Sequence, residues 1–211
     1  MKKKQTNISD FFKPQTREAH DPISTDNLTT PTNPNPNPNL NPNPNPNPNP
    51  NPNHNPNLLI CFTDGSTFNN GAANAKGGYA VVWPDHEDFD YAEFMQPATN
   101  NRCEYSAVIH AIRQADILDP ERKKTLMIYT DSMLLINSLT KWLHGWKKNG
   151  YKKADGKTIL NLDLVKILEE LISLRKTSFK HVRAHTGKTD WMSIYNDKVD
   201  KMARNIALAG R

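Results

Sequence analysis

Long apolar runs are missing from this 211-residue sequence, and cysteine is nearly absent. No apolar stretch approaches the roughly 20 residues that a helix needs to cross a bilayer, so we expect a soluble protein that does not enter a membrane. The two cysteines, Cys61 and Cys103, have no paired spacing, which argues against a disulfide framework or a cysteine metal site. The basic start, MKKKQ, lacks the apolar segment of a secretory signal, so an intracellular protein that is not secreted is predicted.

The N-terminal part of the chain contains little that could form a core. Residues 33–57 read NPNPNPNLNPNPNPNPNPNPNHNPN, where each proline fixes its own φ angle and disfavours helix at the residue before it. Residues 15–57 are therefore predicted to be a disordered linker, serving either as a functional tether or as a neutral repeat expansion. About 155 residues remain, which is enough for one domain of ordinary size at 58–211.

After the linker, the apolar pattern predicts strands first and then a mixture of helices and strands. The predicted elements are strands 58–66, 77–83, 90–96, 125–131 and 178–184, and helices 101–118, 132–143, 159–174 and 194–208. The order βββαβααβα predicts an α/β fold with a five-stranded mixed sheet that is flanked by helices on both faces.

Four acidic residues stand where solvated acids are not expected. Asp64 and Asp131 end the first and fourth predicted strands, where ligand sites gather in open sheets, although either could be a turn or cap residue. Glu104 and Asp200 lie on the apolar stripes of two helices. Inward-facing carboxylates repel one another unless cations lie between them, and oxygen ligands favour Mg²⁺ or Mn²⁺. The pattern predicts a divalent metal site that could hold two ions and hydrolyse a phosphodiester.

Five ordered motifs resemble those of the type 1 ribonuclease H family. They are TDGS at 63–66, NNRCEYSAVIHAI at 100–112, YTDS at 129–132, HVRAHTG at 181–187 and NDKVDKMAR at 196–204. The match runs from about residue 58 to residue 208 and includes a basic segment at 141–157 that is similar to the handle of bacterial members. This handle contains six lysines and one aspartate, interleaved with Trp142, Trp146 and Tyr151. Lysines between flat aromatic rings suit a nucleic-acid backbone, although such a run could also be only a solvated face.

The resemblance implies a ribonuclease H-like fold and an endonuclease that hydrolyses the RNA strand of RNA–DNA hybrids with two Mg²⁺ ions, or with Mn²⁺. The metal-binding catalytic carboxylates are then Asp64, Glu104, Asp131 and Asp200. The resemblance makes His185, in a glycine-containing loop, a catalytic group for proton transfer or product release. The resemblance also implies a set of residues that bind the hybrid, namely Asn70, Asn100, Asn101, Trp142, Trp146, Lys147, Lys148, Lys152 and Lys153.

Two other functional classes are open at this point. A DNA nuclease on the same fold would keep similar acids, but a proofreading exonuclease would have a second acid two residues after Asp64, where this sequence has Ser66. A non-catalytic nucleic-acid-binding module would be expected to have lost an acid, and none of the four is missing. Asn69 and Met133 depart from residues that are common in the family, which affects the expected substrate contacts and not the chemistry.

The segment QTNISDFF near the start resembles the short box by which eukaryotic and archaeal proteins dock on the PCNA-type sliding clamp of DNA replication. The residues that carry the resemblance are Gln5, Ile8, Phe11 and Phe12. One turn of 3₁₀ helix would make their apolar side chains a plug for a pocket, so residues 1–14 are predicted to be a clamp-interacting motif, with a frayed terminus as the alternative. We expect a monomer, in the nucleus or at sites of replication in a eukaryotic or viral setting, and in the cytoplasm of an archaeon.

Overall fold

A computed structural model describes residues 55–210 of the chain. Its strands are β1 (Leu58–Phe68), β2 (Lys76–Val82), β3 (Tyr91–Met95), β4 (Thr125–Thr130) and β5 (Thr177–His181), and its α-helices are α1 (Asn100–Leu118), α2 (Met133–Asn137), α3 (Leu143–Lys148), α4 (Leu162–Leu174) and α5 (Trp191–Ala209). A 3₁₀ turn at Glu87–Phe89 and a π-helical turn at Ser138–Trp142 are also present. The predicted clamp motif at 1–14 and nearly all of the predicted linker at 15–57 lie outside the described residues. Of the helices formed by residues 55–210, none combines the length and apolar character needed to span a bilayer.

The five strands form one mixed sheet in the order β3-β2-β1-β4-β5. β1, β2 and β3 form an antiparallel meander, while β4 and β5 are parallel to β1 on its other side. Antiparallel neighbours need only short connections, whereas a parallel neighbour needs a crossover, which α1 provides between β3 and β4 and the later helices provide between β4 and β5. The predicted five-stranded mixed sheet is confirmed.

Apolar side chains divide the core into two layers, one on each face of the sheet. Leu59 and Cys61 of β1 pack with α1 and α4 on one face, whereas Ile60 and Phe62 pack with α5 on the other face. Successive side chains of a strand point to opposite faces, so a strand that is covered on both faces is apolar at every position. The run LLICF is therefore apolar throughout, and the prediction of helices on both faces is confirmed.

The predicted single helix at 132–143 is wrong in its continuity and in its end. The chain instead forms α2, the π-helical turn at Ser138–Trp142, and then α3, which continues to Lys148. A π-helical turn contains more residues than an α-helical turn, so it rotates the side chains that follow relative to the core. Leu143 and Trp146 then pack against the layer that contains α1, and this packing extends the helix beyond its predicted end.

Arg175 is a fully buried guanidinium group that joins the end of α1 to the start of β4. Its Nε donates to Asp116 Oδ1 at 2.8 Å, and its Nη1 donates to Asp119 Oδ2 at 3.1 Å. The other N–H groups donate to the backbone carbonyls of Ala115, Asp119 and Lys124. Because every donor of this buried cation has an acceptor, the network holds the amino end of β4 in place. The apolar pattern gave no indication of it.

Candidate active site

Asp64 and Asp131 lie side by side where the pairing of two parallel strands ends. Phe62 of β1 is paired with Tyr129 of β4, so the same register places Asp64 opposite Asp131, two residues further on. The rings of Phe62 and Tyr129 stack with their centroids 4.8 Å apart, and strand alternation puts both aspartates on the face of these rings. The prediction that Asp64 ends its strand is wrong, since β1 continues to Phe68 along β2. Asp64 lies instead where pairing with β4 stops.

Asp131 is not the cap of the helix that follows it, which was one interpretation of its position. Ser132 is the N-cap of α2, and its Oγ accepts a hydrogen bond from Leu135 N at 3.4 Å. Thr130 Oγ1 accepts a hydrogen bond from Ser132 N at 3.1 Å. The turn is therefore closed by hydroxyl groups, and the Asp131 carboxylate is left for another use.

Glu104 reaches the same place from α1 because β1 and α1 pack almost backbone to backbone. A methyl group on Gly65 would lie 2.5 Å from Glu104 N and 2.6 Å from Cys103 Cβ, so only glycine allows this approach. Thr99 Oγ1 accepts a hydrogen bond from Arg102 N at 3.3 Å and so caps the start of α1. The Glu104 side chain is consequently brought close to Asp64 and is only 4% exposed.

Asp200 approaches from the opposite face of the sheet on α5. This helix packs against β2 at Gly78, where an added methyl group would lie 2.8 Å from Ala203 O. Asp200 is about one helical turn before Ala203 and shares its stripe with the buried Ala207. It is half-buried, and its negative charge contributes to raising the pKa of Asp64. Two helices from opposite faces of the sheet thus bring acids to the place where the pairing of β1 with β4 ends.

These acids, Asp64, Glu104, Asp131 and Asp200, form a carboxylate cluster. One oxygen from each of the first three lies within 4.8 Å of the corresponding oxygen of the other two. Burial, followed by the charge of Asp131, raises the pKa of Asp64 to about 8. Burial and then Asp64 raise the pKa of Glu104 well above its ordinary value, and burial and then Asp200 raise the pKa of Asp131. Burial is the largest cause of all three pKa shifts, and repulsion between the neighbouring carboxylates adds to it.

The Glu104 carboxylate is not satisfied by protein groups. Its Oε2 atom is buried and has no hydrogen-bonding partner among residues 55–210. A buried polar atom without a partner costs free energy, so its presence calls for a ligand. Several carboxylate oxygens with free ligand positions are the donors that Mg²⁺ and Mn²⁺ bind. The carboxylate cluster therefore fits divalent cations, and its residues could hold them.

His185 lies in the loop between β5 and α5, exposed and with a φ angle of 51°. Its charge and that of His181 act on Asp131 and oppose the effect of burial on the pKa of that carboxyl group. His185 therefore lies within electrostatic reach of the carboxylate cluster. His181 was not among the predicted site residues. The strand register pairs it with Thr130, directly before Asp131, so aligning the two strands would have identified it.

The asparagines implied in hybrid binding lie at the start of α1 and in the turn that follows β1. Asn100 begins α1, and its backbone N–H donates to Asn70 Oδ1 at 3.2 Å, which joins the turn after β1 to the start of the helix. Asn100 precedes Glu104 by about one helical turn. Asn101 lines a cavity that it shares with Trp142. The structure thus brings Asn70 and Asn100 together and places Asn101, on α1, at a cavity that the handle also lines.

The handle consists of the end of the π-helical turn, α3 and the loop that follows α3. The ring centroids of Trp142 and Trp146 lie 5.8 Å apart, and Trp142 is 43% exposed. The exposed lysines of the handle that were implied in binding are Lys147, Lys148, Lys152 and Lys153. Lys147 is paired with Glu169 of α4, with 2.6 Å between Nζ and Oε1. This contact joins segments that are distant in sequence, and no sequence pattern indicated it.

Comparison with known proteins matches residues 56–207 to the family model described as RNase H. Ribonuclease H1 of Homo sapiens is 34% identical over 152 residues, which cover 72% of this chain and 50% of the human protein. Ribonuclease H of Novosphingobium aromaticivorans is 35% identical over 150 residues, which cover 70% of this chain and 95% of the bacterial protein. Among solved structures, LC9-RNase H1 aligns with a TM-score of 0.58 and 24% identity over 73% of this chain and 74% of its own. The chain spans about half the length of the mammalian relatives it matches.

In metal-free solution, Asp64→Asn is expected to stabilise the protein at pH 8. The pKa of Asp64 is raised from 3.8 to about 8 in the folded state, so the folded protein binds more protons than the unfolded chain between these values. Its stability therefore falls as pH rises through this window. We expect a gain on the order of 1–3 kcal/mol from the substitution, since one pKa unit corresponds to about 1.4 kcal/mol and solvent entry reduces the full shift. Urea unfolding in EDTA at pH 5 and pH 8 measures the effect.

Asp88→Asn is the matched control for this measurement. Asp88 is exposed in the 3₁₀ turn, so its substitution should change the free energy of unfolding by less than about 0.5 kcal/mol. If wild type and Asp64→Asn show the same change in unfolding free energy between pH 5 and pH 8, the electrostatic interpretation of the cluster is wrong.

Proposed function

Because the chain belongs to the RNase H family, we propose that it is an endonuclease that hydrolyses the RNA strand of RNA–DNA hybrids. The observation that carries this proposal is the convergence of Asp64, Glu104 and Asp131, together with the buried and unpartnered oxygen of Glu104. Such a cluster destabilises the metal-free protein, so a structural role does not account for it. Metal-assisted hydrolysis of a phosphodiester uses this set of ligands.

The residues that would hold the cations are Asp64, Glu104, Asp131 and Asp200. When bound, two Mg²⁺ ions, or Mn²⁺ in their place, would neutralise these acids, lower the pKa of an attacking water and stabilise charge on the scissile phosphate. Glu104 is held rigidly for this task by the contact of α1 with Gly65. Asp64 is held by the pairing of β1 with β2, and Asp131 directly follows Thr130, which is paired with His181 of β5. The cluster therefore has little freedom to separate when its charges repel.

Asparagine side chains beside the cluster would recognise the RNA strand. Their amide groups both donate and accept hydrogen bonds, as does the 2′-hydroxyl that distinguishes RNA from DNA. Asn70 and Asn100 are already in contact, so their positions are fixed before the substrate binds. Trp142 and the exposed handle lysines would hold the DNA strand through stacking and phosphate contacts. Contacts of this kind do not read bases, so we expect weak sequence preference.

His185 would transfer a proton or assist product release. An imidazole group is suited to proton transfer near neutral pH. His185 is exposed, acts electrostatically on Asp131, and is followed by Gly187 at a φ angle of 64°. A glycine at such an angle allows the loop to adopt conformations that other residues rarely reach, which suits a group that approaches the substrate only during turnover.

Asp131→Asn is expected to abolish cleavage of the RNA in a labelled RNA–DNA hybrid in the presence of Mg²⁺. The loss should be about 10³-fold or more, because a bound cation contributes several kcal/mol of transition-state stabilisation. Asp88→Asn makes the same chemical change far from the cluster and should cleave as wild type does. Duplex DNA of the same sequence should stay intact. Equal cleavage by wild type and Asp131→Asn would refute the role of this residue, and cleavage of the DNA duplex would favour a DNA nuclease.

We further propose that residues 1–14 dock this nuclease on a PCNA-type sliding clamp, so that it acts inside the cell where DNA is replicated. The support is the sequence pattern of Gln5, Ile8, Phe11 and Phe12, which lies outside the described residues. A tether formed by residues 15–57 would raise the local concentration of the nuclease near clamp-bound DNA. Removal of replication primers is a role that fits this arrangement.

Replacing Phe11 and Phe12 together by alanine is expected to remove binding to a purified clamp in a pull-down. The two rings would supply most of the apolar surface of the plug, so their loss should lower the affinity by about 10²-fold or more. Thr6→Ala, between residues of the pattern, is the control and should bind. Cleavage of free hybrid by the double variant should equal that of wild type. Undiminished clamp binding by the double variant would show that the motif is not used.

A further inference from the structure

The handle is attached to α4 through the carboxylate of Glu169. Its Oε1 pairs with Lys147 Nζ at 2.6 Å, and its Oε2 accepts a hydrogen bond from the Tyr151 hydroxyl. Lys166, on the same helix, places its Nζ atom 5.2 Å from the centre of the Tyr151 ring. The Glu169 side chain is 19% exposed, so these contacts are partly shielded from water. Two residues of the handle, Lys147 and Tyr151, therefore contact one acidic residue of α4.

Tyr151 has a backbone conformation that a residue of its size rarely adopts. Its φ angle of 59° lies in the left-handed region, which is unfavourable for a side chain with a Cβ atom. Its N–H donates to Trp146 O at 2.7 Å, and its carbonyl accepts from Ile159 N at 3.0 Å. Tyr151 thus joins α3 to the returning end of the loop. A strained conformation persists only where its surroundings enforce it, and the bond to Glu169 is a restraint of that kind.

Glu169 is unfavourably placed if only net charge is considered. It puts a negative charge beneath a segment whose exposed cations include Lys148, Lys152 and Lys153. Affinity for a polyanion rises with the number of cations that reach phosphates, so simple electrostatics predicts that Glu169 weakens hybrid binding. It also neutralises Lys147, whose ammonium group is directed to the scaffold. The contacts of Glu169 therefore need an explanation other than attraction of nucleic acid.

We propose that Glu169 is a positioning residue for hybrid binding. Through Tyr151 and Lys147 it holds the handle in the orientation that presents Trp142 and the remaining lysines to the nucleic acid. This inference rests on the proposed function and reassigns Lys147 from a phosphate contact to an internal one. Ordering the handle in advance removes an entropic cost from binding, so Glu169 lowers KM and does not affect kcat.

Glu169→Gln tests the inference because a positioning role and simple electrostatics predict opposite changes in the KM for a hybrid. Positioning predicts that KM for a hybrid rises about 10-fold with kcat unchanged, the scale expected for losing one charge-assisted contact and weakening another. Simple electrostatics predicts a lower KM. Tyr151→Phe, which keeps every charge, should also raise KM. Glu170→Gln is the matched control, since Glu170 is the exposed neighbouring acid, and its KM should be unchanged or lower.

The salt dependence of hybrid binding distinguishes the role of Lys147 from that of Lys148. A lysine that contacts a phosphate contributes about one unit to the slope of log Kd against log salt concentration. Lys148→Met should therefore reduce the slope by about one, whereas Lys147→Met should weaken binding and leave the slope unchanged. Equal reductions of the slope by the two substitutions would overturn the reassignment of Lys147.

Hydrogen exchange separates failure of this inference from failure of the proposed function. The amide protons of Tyr151 and Ile159 should exchange about 10-fold faster in Glu169→Gln, because the loop opens more often, and at the wild-type rate in Glu170→Gln. If the wild-type protein binds no hybrid, the proposed function fails, and the exchange rates still decide whether Glu169 orders the handle. Unchanged exchange in Glu169→Gln, or a lower KM, would overturn the inference.

Discussion

Repulsion among carboxylates in a poorly solvated place is the constraint that the rest of this structure has to meet. Oxygens of Asp64, Glu104 and Asp131 come within 4.8 Å of one another, and burial removes the water that would screen their charges. Burial, and then the charge of Asp131, raise the pKa of Asp64 to about 8 in the metal-free protein. Proteins are only marginally stable, so a fold can keep such a cluster only if its remaining contacts hold the acids together.

Close backbone packing and aromatic contacts supply that restraint. Gly65 lets α1 approach β1, and Gly78 lets α5 approach β2. Behind the aspartates, the ring of Trp191 lies edge-on to Phe62, with 5.2 Å between centroids, and fixes the start of α5 on the sheet. Arg175 joins the end of α1 to the start of β4. The acids are thereby positioned without cations. The handle is likewise ordered before it binds a substrate.

Apolar periodicity was enough to predict the sheet and the long helices, because both faces of the sheet are covered and the helical stripes follow from burial. Glu104 and Asp200 could be identified as candidates because they interrupt those stripes. The extension of β1 to Phe68 could not be predicted, since it depends on pairing with β2. The extension of α3 to Lys148 depends on packing of Leu143 and Trp146 against the core. The contacts of Glu169 join distant segments through side chains, and local patterns carry no information about them.

Calorimetric titration of the metal-free protein with Mg²⁺ tests most directly the claim that the carboxylate cluster holds cations. Performed in two buffers of different ionisation enthalpy, it measures how many protons binding releases. At pH 7, below the pKa of about 8 for Asp64, we expect saturable binding with release of protons from the cluster, since the pKa of Glu104 is raised as well, and less release as the pH rises. Binding without proton release at pH 7, or undiminished binding by Glu104→Gln, would contradict the account.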